Sequence, residues 1–235
     1  MNYRRYAVYY TPPPGALATF GADWLGWDAR AGTARPHPPL LDLPRPAAEI
    51  TETPRRYGFH ATIKPPFRLA PDRSAEDLAW ALDTFCQHRP SAGAAGLTAR
   101  RLGRFLALVP EDDGAALSDL AGAAVEAFDT FRAPPEESDL ARRRKAGLTP
   151  RQEALLTRWG YPYVMEEFRF HMTLTGRLSA EELDAVEAAL GPALAECLPR
   201  PFTLDALSLM GEDESGRFHE IHRYPLDGMS AAPSD

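Results

Sequence analysis

Apolar residues recur along the chain with two periods. One returns every three to four residues, the spacing that gathers side chains on one stripe of a helix; the other alternates, as on one face of a strand. The helical period runs from Ser74 to His88 (Leu78, Leu82, Phe85), from Ala115 to Phe131 (Leu117, Leu120, Ala124, Val125, Phe128), from Thr149 to Trp159 (Leu155, Leu156), and from Ser179 onward (Leu183, Val186, Leu190). Three of these segments open on residues that can satisfy the free N–H groups of a first turn: Ser74 with Asp77, Thr149 followed by Pro150, and Ser179 with Glu182. Gly160 and Pro162 end the third helix, and Gly191-Pro192 is expected to break or kink the fourth.

The alternating period and β-forming residues predict strands at Arg5–Tyr10, Phe59–Leu69, Leu97–Gly103, Phe105–Val109, Phe168–Thr175, Phe202–Met210 and Arg217–Tyr224. Leu102 to Phe105 and Met210 to Phe218 have the glycine-containing turns of hairpins, so antiparallel pairing is expected. Helices and strands mix throughout, which fits an α+β fold better than a doubly wound parallel sheet. Proline and glycine interrupt the chain at Thr11–Gly15, Arg35–Pro46 and Ala133–Glu137. The middle interruption lacks the donors for a helix or central strand and reads as an ordered extended loop or lid, or as a plain connector.

Composition narrows the class. The 235 residues are 44% hydrophobic and 25% charged, enough for a core in one large domain or two packed lobes. The first ten residues lack the apolar run of a secretory signal, and no stretch approaches the ~18 to 20 apolar residues of a membrane span. A cytoplasmic protein is expected, with Cys86 and Cys197 as thiols and no membrane partner. The net charge of −7 argues against duplex DNA or long RNA, whose binding neutralises many phosphates. A small or short substrate, met by a monomer, is expected.

One pentapeptide occurs twice. Phe59-His60-Ala61-Thr62-Ile63 and Phe170-His171-Met172-Thr173-Leu174 agree at Phe, His and Thr and end on an aliphatic residue, and a capped helix follows each. The repetition suggests a single bilobal catalytic domain over residues 1–235, one pseudo-repeat carrying each motif, with a disordered tail from 227. On a strand, His60 and Thr62 project together, as do His171 and Thr173, while the Phe and aliphatic positions line the other face. By the same alternation Gly58, Lys64, Arg169 and Thr175 share the histidine side. Two imidazoles facing one cleft can divide a phosphodiester reaction, one taking a proton and the other giving one to the leaving oxygen. Thr62 and Thr173 would hydrogen-bond the non-bridging oxygens, and Lys64 and Arg169 could add positive charge. The scheme needs no metal and no cofactor.

The two motifs resemble those of the two-histidine phosphoesterase superfamily, which includes RNA-end ligase-like proteins and cyclic nucleotide phosphodiesterases. The stretch from Arg56 to Phe67 resembles a bacterial branch described as phosphonate-metabolism proteins of unknown activity. The resemblance implies two similar antiparallel-sheet lobes with helices packed outside and a cleft between them. It implies His60 and His171 as the catalytic pair and Thr62 and Thr173 as phosphate ligands. The substrates it implies are a ribose cyclic phosphate from phosphonate breakdown or a 2′,3′-cyclic nucleotide or RNA end. Thr175 stands where the first motif has Lys64, so the two sides differ. Rival readings are a ligase or phosphotransferase of RNA ends, and a binding module for a phosphorylated nucleotide.

Other residues invite weaker readings. His219 and His222 lie three apart, which on a regular strand puts them on opposite faces and disfavours a shared metal. Arg142 to Lys145 either clamps a phosphate-rich ligand or pairs with Glu136, Glu137 and Asp139, the second being favoured. Tyr6, Tyr9 and Tyr10 either stack on a base or sugar or fill space between the lobes.

Overall fold

The structure is a computed structural model describing residues 3–40, 42–145 and 147–228. The chain opens with strand β1 (Arg5–Tyr10), helix α1 (Ala16–Leu25), the small hairpin β2 (Trp27–Asp28) and β3 (Thr33–Ala34), and two single turns, α2 (Ala47–Ile50) and α3 (Glu52–Arg55). Next come β4 (Ala61–Phe67), α4 (Ala75–Gln87), β5 (Ala92–Ala94), β6 (Leu97–Leu102), β7 (Phe105–Pro110) and α5 (Ala115–Ala127). The last third holds α6 (Glu137–Arg144), α7 (Pro150–Trp159), β8 (Met172–Thr173), α8 (Ala180–Cys197), β9 (Phe202–Leu204), β10 (Ala206–Glu212) and β11 (Phe218–Pro225).

The fold is α+β. A seven-stranded antiparallel sheet has the order β11-β10-β1-β4-β8-β7-β6. Its two halves, β11-β10-β1-β4 and β8-β7-β6, meet at a narrow seam where Ala61 of β4 faces Met172 of β8. One face carries the main core: Val8, Ile63, Leu108, Met172 and Leu209 pack under Trp24 of α1, Leu82 of α4, Leu120 of α5 and Leu190 of α8. The other face holds only a small apolar cluster of Ala7, Tyr9, Met210 and Phe218. One layer of helices thus covers one side, and the chemical residues have the other.

All three expected capping boxes form, at Ser74, Thr149 and Ser179. Several elements differ from expectation. Helix α8 runs unbroken through Pro192, and buried Leu190 and Leu194 on either side hold it against the core. The predicted strand 168–175 shrinks to Met172–Thr173, and the predicted strand 202–210 divides at Asp205. Helices α1 and α6 and the hairpin β2-β3 have no counterpart among the predicted elements. The expected disordered tail lies mostly outside the described residues; Asp227 and Gly228 are held by N–H bonds to the carbonyls of Cys86 and Arg89. The described residues of the proline-rich stretch are tied at both ends, by Arg35 to Asp23, His37 to the Trp24 carbonyl, and Arg45 to Glu182. No helix among the described residues is long and apolar enough to cross a membrane.

Candidate active site

The seam sets the geometry of the repeated motif. Ala61 and Met172 face one another and both belong to the helix-side core. In an antiparallel ladder the residues on either side of such a pair point to the opposite face. Ala61 and Met172 are the one pair formed across the seam among the described residues, and a regular continuation of that register would set His60 toward Thr173 and Thr62 toward His171. Directly opposed side chains of this kind have Cβ atoms about 4.5 to 5.5 Å apart. The two motifs thus meet at the seam, and His171 is near enough to His60 for its charge to act on that ring.

Both imidazoles are anchored alike. His60 Nδ1 lies 2.9 Å from the carbonyl oxygen of Gly58, and His171 Nδ1 lies 2.8 Å from that of Arg169. A carbonyl can only accept, so Nδ1 carries the proton in both rings and Nε2 is the working nitrogen. His60 Nε2 accepts from the Thr62 hydroxyl at 3.1 Å. The hydroxyl of Thr173 and Nε2 of His171 have no hydrogen-bond partner among the described residues.

The surroundings of His60 are aromatic. Tyr9 stacks on it with ring centroids 3.9 Å apart, and Tyr57 lies 6.0 Å away, itself stacked on Phe218. His60 is half-buried. Desolvation drives its pKa from 6.5 down to about 4, the Gly58 carbonyl opposes the shift, and the charge of His171 adds to it. The two rings are therefore electrostatically coupled across the seam. Tyr9 is fully buried, and desolvation raises its phenol well above its usual range.

Gly58 holds this arrangement. It sits at φ 73°, where L side chains are strained, and a Cβ there would come 2.7 Å from Ala29 Cβ. Gly21 of α1 has a complementary role, since a Cβ on it would overlap the ring of Phe59 at 1.9 Å. The second motif is fixed by Trp24 Nε1, which donates to the Leu174 carbonyl at 2.7 Å, and by the Leu106 N–H, which donates to Thr175 Oγ1 at 2.9 Å.

Other expected site residues fall elsewhere. Lys64 does not face the histidines. The register slips between Thr62, opposite Tyr9, and Lys64, opposite Val8, so a bulge returns Lys64 to the helix side. Its ammonium is buried, donates to the Val125 carbonyl at 3.0 Å, lies 3.5 Å from Asp129, and has its pKa lowered to about 8, first by burial. Thr175 is likewise buried rather than on the cleft. Arg169 is exposed and donates to the carbonyls of Glu166 and Phe168. Tyr6 and Tyr10 fill the helix-side core, so Tyr9 alone of the three lines the site.

His219 Nε2 bonds Asp213 at 2.8 Å, while His222 packs against Tyr224. Among the described residues no three His, Cys, Asp or Glu side chains converge as a metal site. The basic run divides: Arg142 pairs with Asp139, Arg144 with Glu137 and Glu153, and Arg143 stacks on Tyr161 instead. Gly58, Tyr57 and Phe218 are site residues that the motif alone did not reveal. Tyr57 and Gly58 do lie within the Arg56–Phe67 stretch; nothing local marks Phe218.

Residues 62–219 match the model of a family described as "Protein of unknown function (DUF1045)". Two curated relatives bear the name ribose 1,5-bisphosphate phosphokinase PhnN. The protein from Janthinobacterium sp. (strain Marseille) is 38% identical over 98% of this chain and 52% of its own length; that from Laribacter hongkongensis (strain HLHK9) is 33% identical over 93% and 51%. The chain spans about half the length of these relatives. Among solved structures, TT0787 of Thermus thermophilus aligns with a TM-score of 0.45 at 12% identity, covering 96% of this chain and all of that one. LigT of E. coli, complexed with 3′-AMP, aligns at 0.40 and 15% identity, covering 96% and 99%.

Proposed function

Because the chain belongs to the DUF1045 family, we propose that this family member is a metal-independent phosphodiesterase using His60 and His171 as a proton-transfer pair. The observation that supports the reading is the pairing of Ala61 with Met172, which joins the two motifs at one seam, together with the like anchoring of both imidazoles through Nδ1 to a backbone carbonyl. The whole chain acts as one bilobal catalytic unit.

The protonation of His60 supports a direction for the chemistry. With a pKa near 4 its ring is neutral around pH 7, and its Nε2 lone pair takes the proton of an attacking water. His171, as the imidazolium, gives its Nε2 proton to the departing oxygen. A P–O bond to water forms as the P–O bond to the leaving group breaks, and one proton passes from water to the leaving oxygen. The two rings then exchange protons with solvent to reset. Thr62 and Thr173 donate to the non-bridging oxygens where charge develops.

A small cyclic phosphodiester suits the site, since ring opening needs only a water, two proton carriers and oxyanion donors. The names of the two relatives refer to a ribose phosphate, and opening a ribose cyclic phosphate yields a compound of that class. Ribose cyclic phosphates are therefore favoured over RNA ends. The test is turnover of ribose-based cyclic phosphodiesters by EDTA-treated protein. Sustained hydrolysis is expected; an absolute need for added divalent metal, or no hydrolysis of any cyclic phosphodiester, would overturn the reading.

A further inference from the structure

The histidine face continues away from the seam toward arginines that the proton-transfer scheme does not use. Along β1 the same face runs from Tyr9 through Ala7 to Arg5, and the pairing of Tyr6 with Phe67 brings Arg68 beside Arg5. Arg132 and Arg143 join these two around a narrow cavity of about 40 Å³ next to Gly160, which opens beside a wider one of about 290 Å³ that shares Arg5 and Arg68. Asp139 is the one carboxylate lining the narrow cavity.

Three of the four arginines already have carboxylate partners. Arg5 is held by Glu212, with a bond of 2.7 Å to Oε1; Arg68 by Glu136 at 3.1 Å; Arg132 by Asp129 at 2.8 Å. Arg143 is different. It is half-buried, its guanidinium lies over Tyr161 at 4.6 Å from the ring centroid, and among the described residues no carboxylate lies within ion-pairing distance of it. Burial weakens its hold on its proton, Tyr161 and Asp139 oppose that, and the neighbouring charges of Arg142 and Arg5 add to it. A half-buried guanidinium without an ion pair keeps donors free, and an anion entering the cavity would take them. The planar guanidinium fork matches a phosphate in two parallel hydrogen bonds.

The cavity is linked to the catalytic pair. Tyr9, stacked on His60, feels the charge of Arg5, and Arg5 lines the cavity together with Arg143. From Tyr9 to Arg5 is four residues along one strand, about 13 Å at ~3.3 Å per residue, a gap that arginine side chains shorten to the reach of one sugar phosphate. We infer that the Arg143 cavity binds a second, terminal phosphate of the substrate. The preferred substrate is then a cyclic phosphodiester that also carries a phosphate monoester. This rests on the phosphodiesterase reading and adds a specificity site to it.

Two nucleotide probes separate the two claims. Adenosine 2′,3′-cyclic phosphate and its 5′-phosphorylated counterpart are compared as substrates for wild type, Arg143→Gln and Arg143→Lys. The expected result is a KM at least about tenfold lower for the 5′-phosphorylated compound in wild type, a preference lost in Arg143→Gln and partly kept in Arg143→Lys, with kcat and the KM for the simple cyclic phosphate unchanged. Arg68→Gln, which alters another residue lining the same cavity, should weaken the preference in the same direction. Calorimetric binding of adenosine 3′,5′-bisphosphate against 3′-AMP reads the same site without turnover. Hydrolysis of both compounds with equal KM, or a preference untouched in Arg143→Gln, would overturn the inference and leave the phosphodiesterase reading standing. If neither compound is hydrolysed, the bisphosphate's tighter, Arg143-dependent binding decides the inference alone, and equal binding of the two ligands would overturn it.

Discussion

A histidine accepts a proton from water only while its ring is neutral, and the surroundings of His60 keep it so. Protonating it means placing charge beside the face of Tyr9 and near His171 in a poorly solvated site, which is why its pKa falls from 6.5 to about 4. Loss of the base on acidification follows that depressed value, so the acidic limb of kcat/KM should be centred near pH 4. An acidic limb near 6.5 would show that His60 is not the base. Gly58 supplies both the carbonyl that orients His60 and a backbone conformation closed to a side chain. Gly58→Ala should lower kcat by tenfold or more and cost about 1 to 3 kcal/mol of stability, measured by turnover and thermal unfolding. Unchanged kcat would remove Gly58 from the positioning role. The histidines and threonines were legible because a repeated pattern needs no knowledge of folding. Gly58 was not, because positive φ and the approach of Ala29 exist only once β2 and its turn have packed.

Among the elements, β4 illustrates how regular alternation misleads. Strict alternation places Lys64 with His60 and Thr62, whereas the bulge after Thr62 moves it under α5, against the Val125 carbonyl. The deviation depends on which register β1 imposes and leaves no mark in the pentapeptide. Burial lowers the Lys64 pKa from 10.5 to about 8, so between these values the unfolded chain binds more protons than the folded one. Stability contributed at this position should therefore rise with pH across that window. The Tm of wild type relative to Lys64→Met should increase from pH 8 to pH 10, and parallel curves for the two proteins would contradict the buried, charged lysine. Turnover in Lys64→Met should stay within a few-fold of wild type, since the side chain points away from the cleft. Helix starts were read well, because Ser74, Thr149 and Ser179 cap through contacts within four residues. The continuation of α8 through Pro192 was not, because it depends on tertiary burial of Leu190 and Leu194. Helix α1 was missed because it opens on Gly15 without a side-chain cap.

At the scale of the molecule, function depends on a seam only two residues wide in β8. The half-sheets are joined there by Ala61 opposite Met172, and the join is supported from the helix side by Trp24 holding the Leu174 carbonyl. The mixed α+β class, the antiparallel hairpins and the segregation of chemistry to one face could be read from periodicity. The joining of both halves into one sheet could not, since it pairs residues far apart in sequence. The acidic chain also concentrates positive charge locally: Arg5, Arg68, Arg132 and Arg143 gather beside the cleft while the molecule as a whole carries −7. Net charge describes the average surface and says little about one pocket. The central claim is that both imidazoles act on one phosphorus atom, and single-turnover hydrolysis of a ribose cyclic phosphate by His60→Ala and His171→Ala, each verified as folded, tests it most directly. Each substitution should slow the chemical step by about 10²- to 10⁴-fold, whereas a rate left within a few-fold of wild type in either variant would contradict the shared-phosphorus geometry.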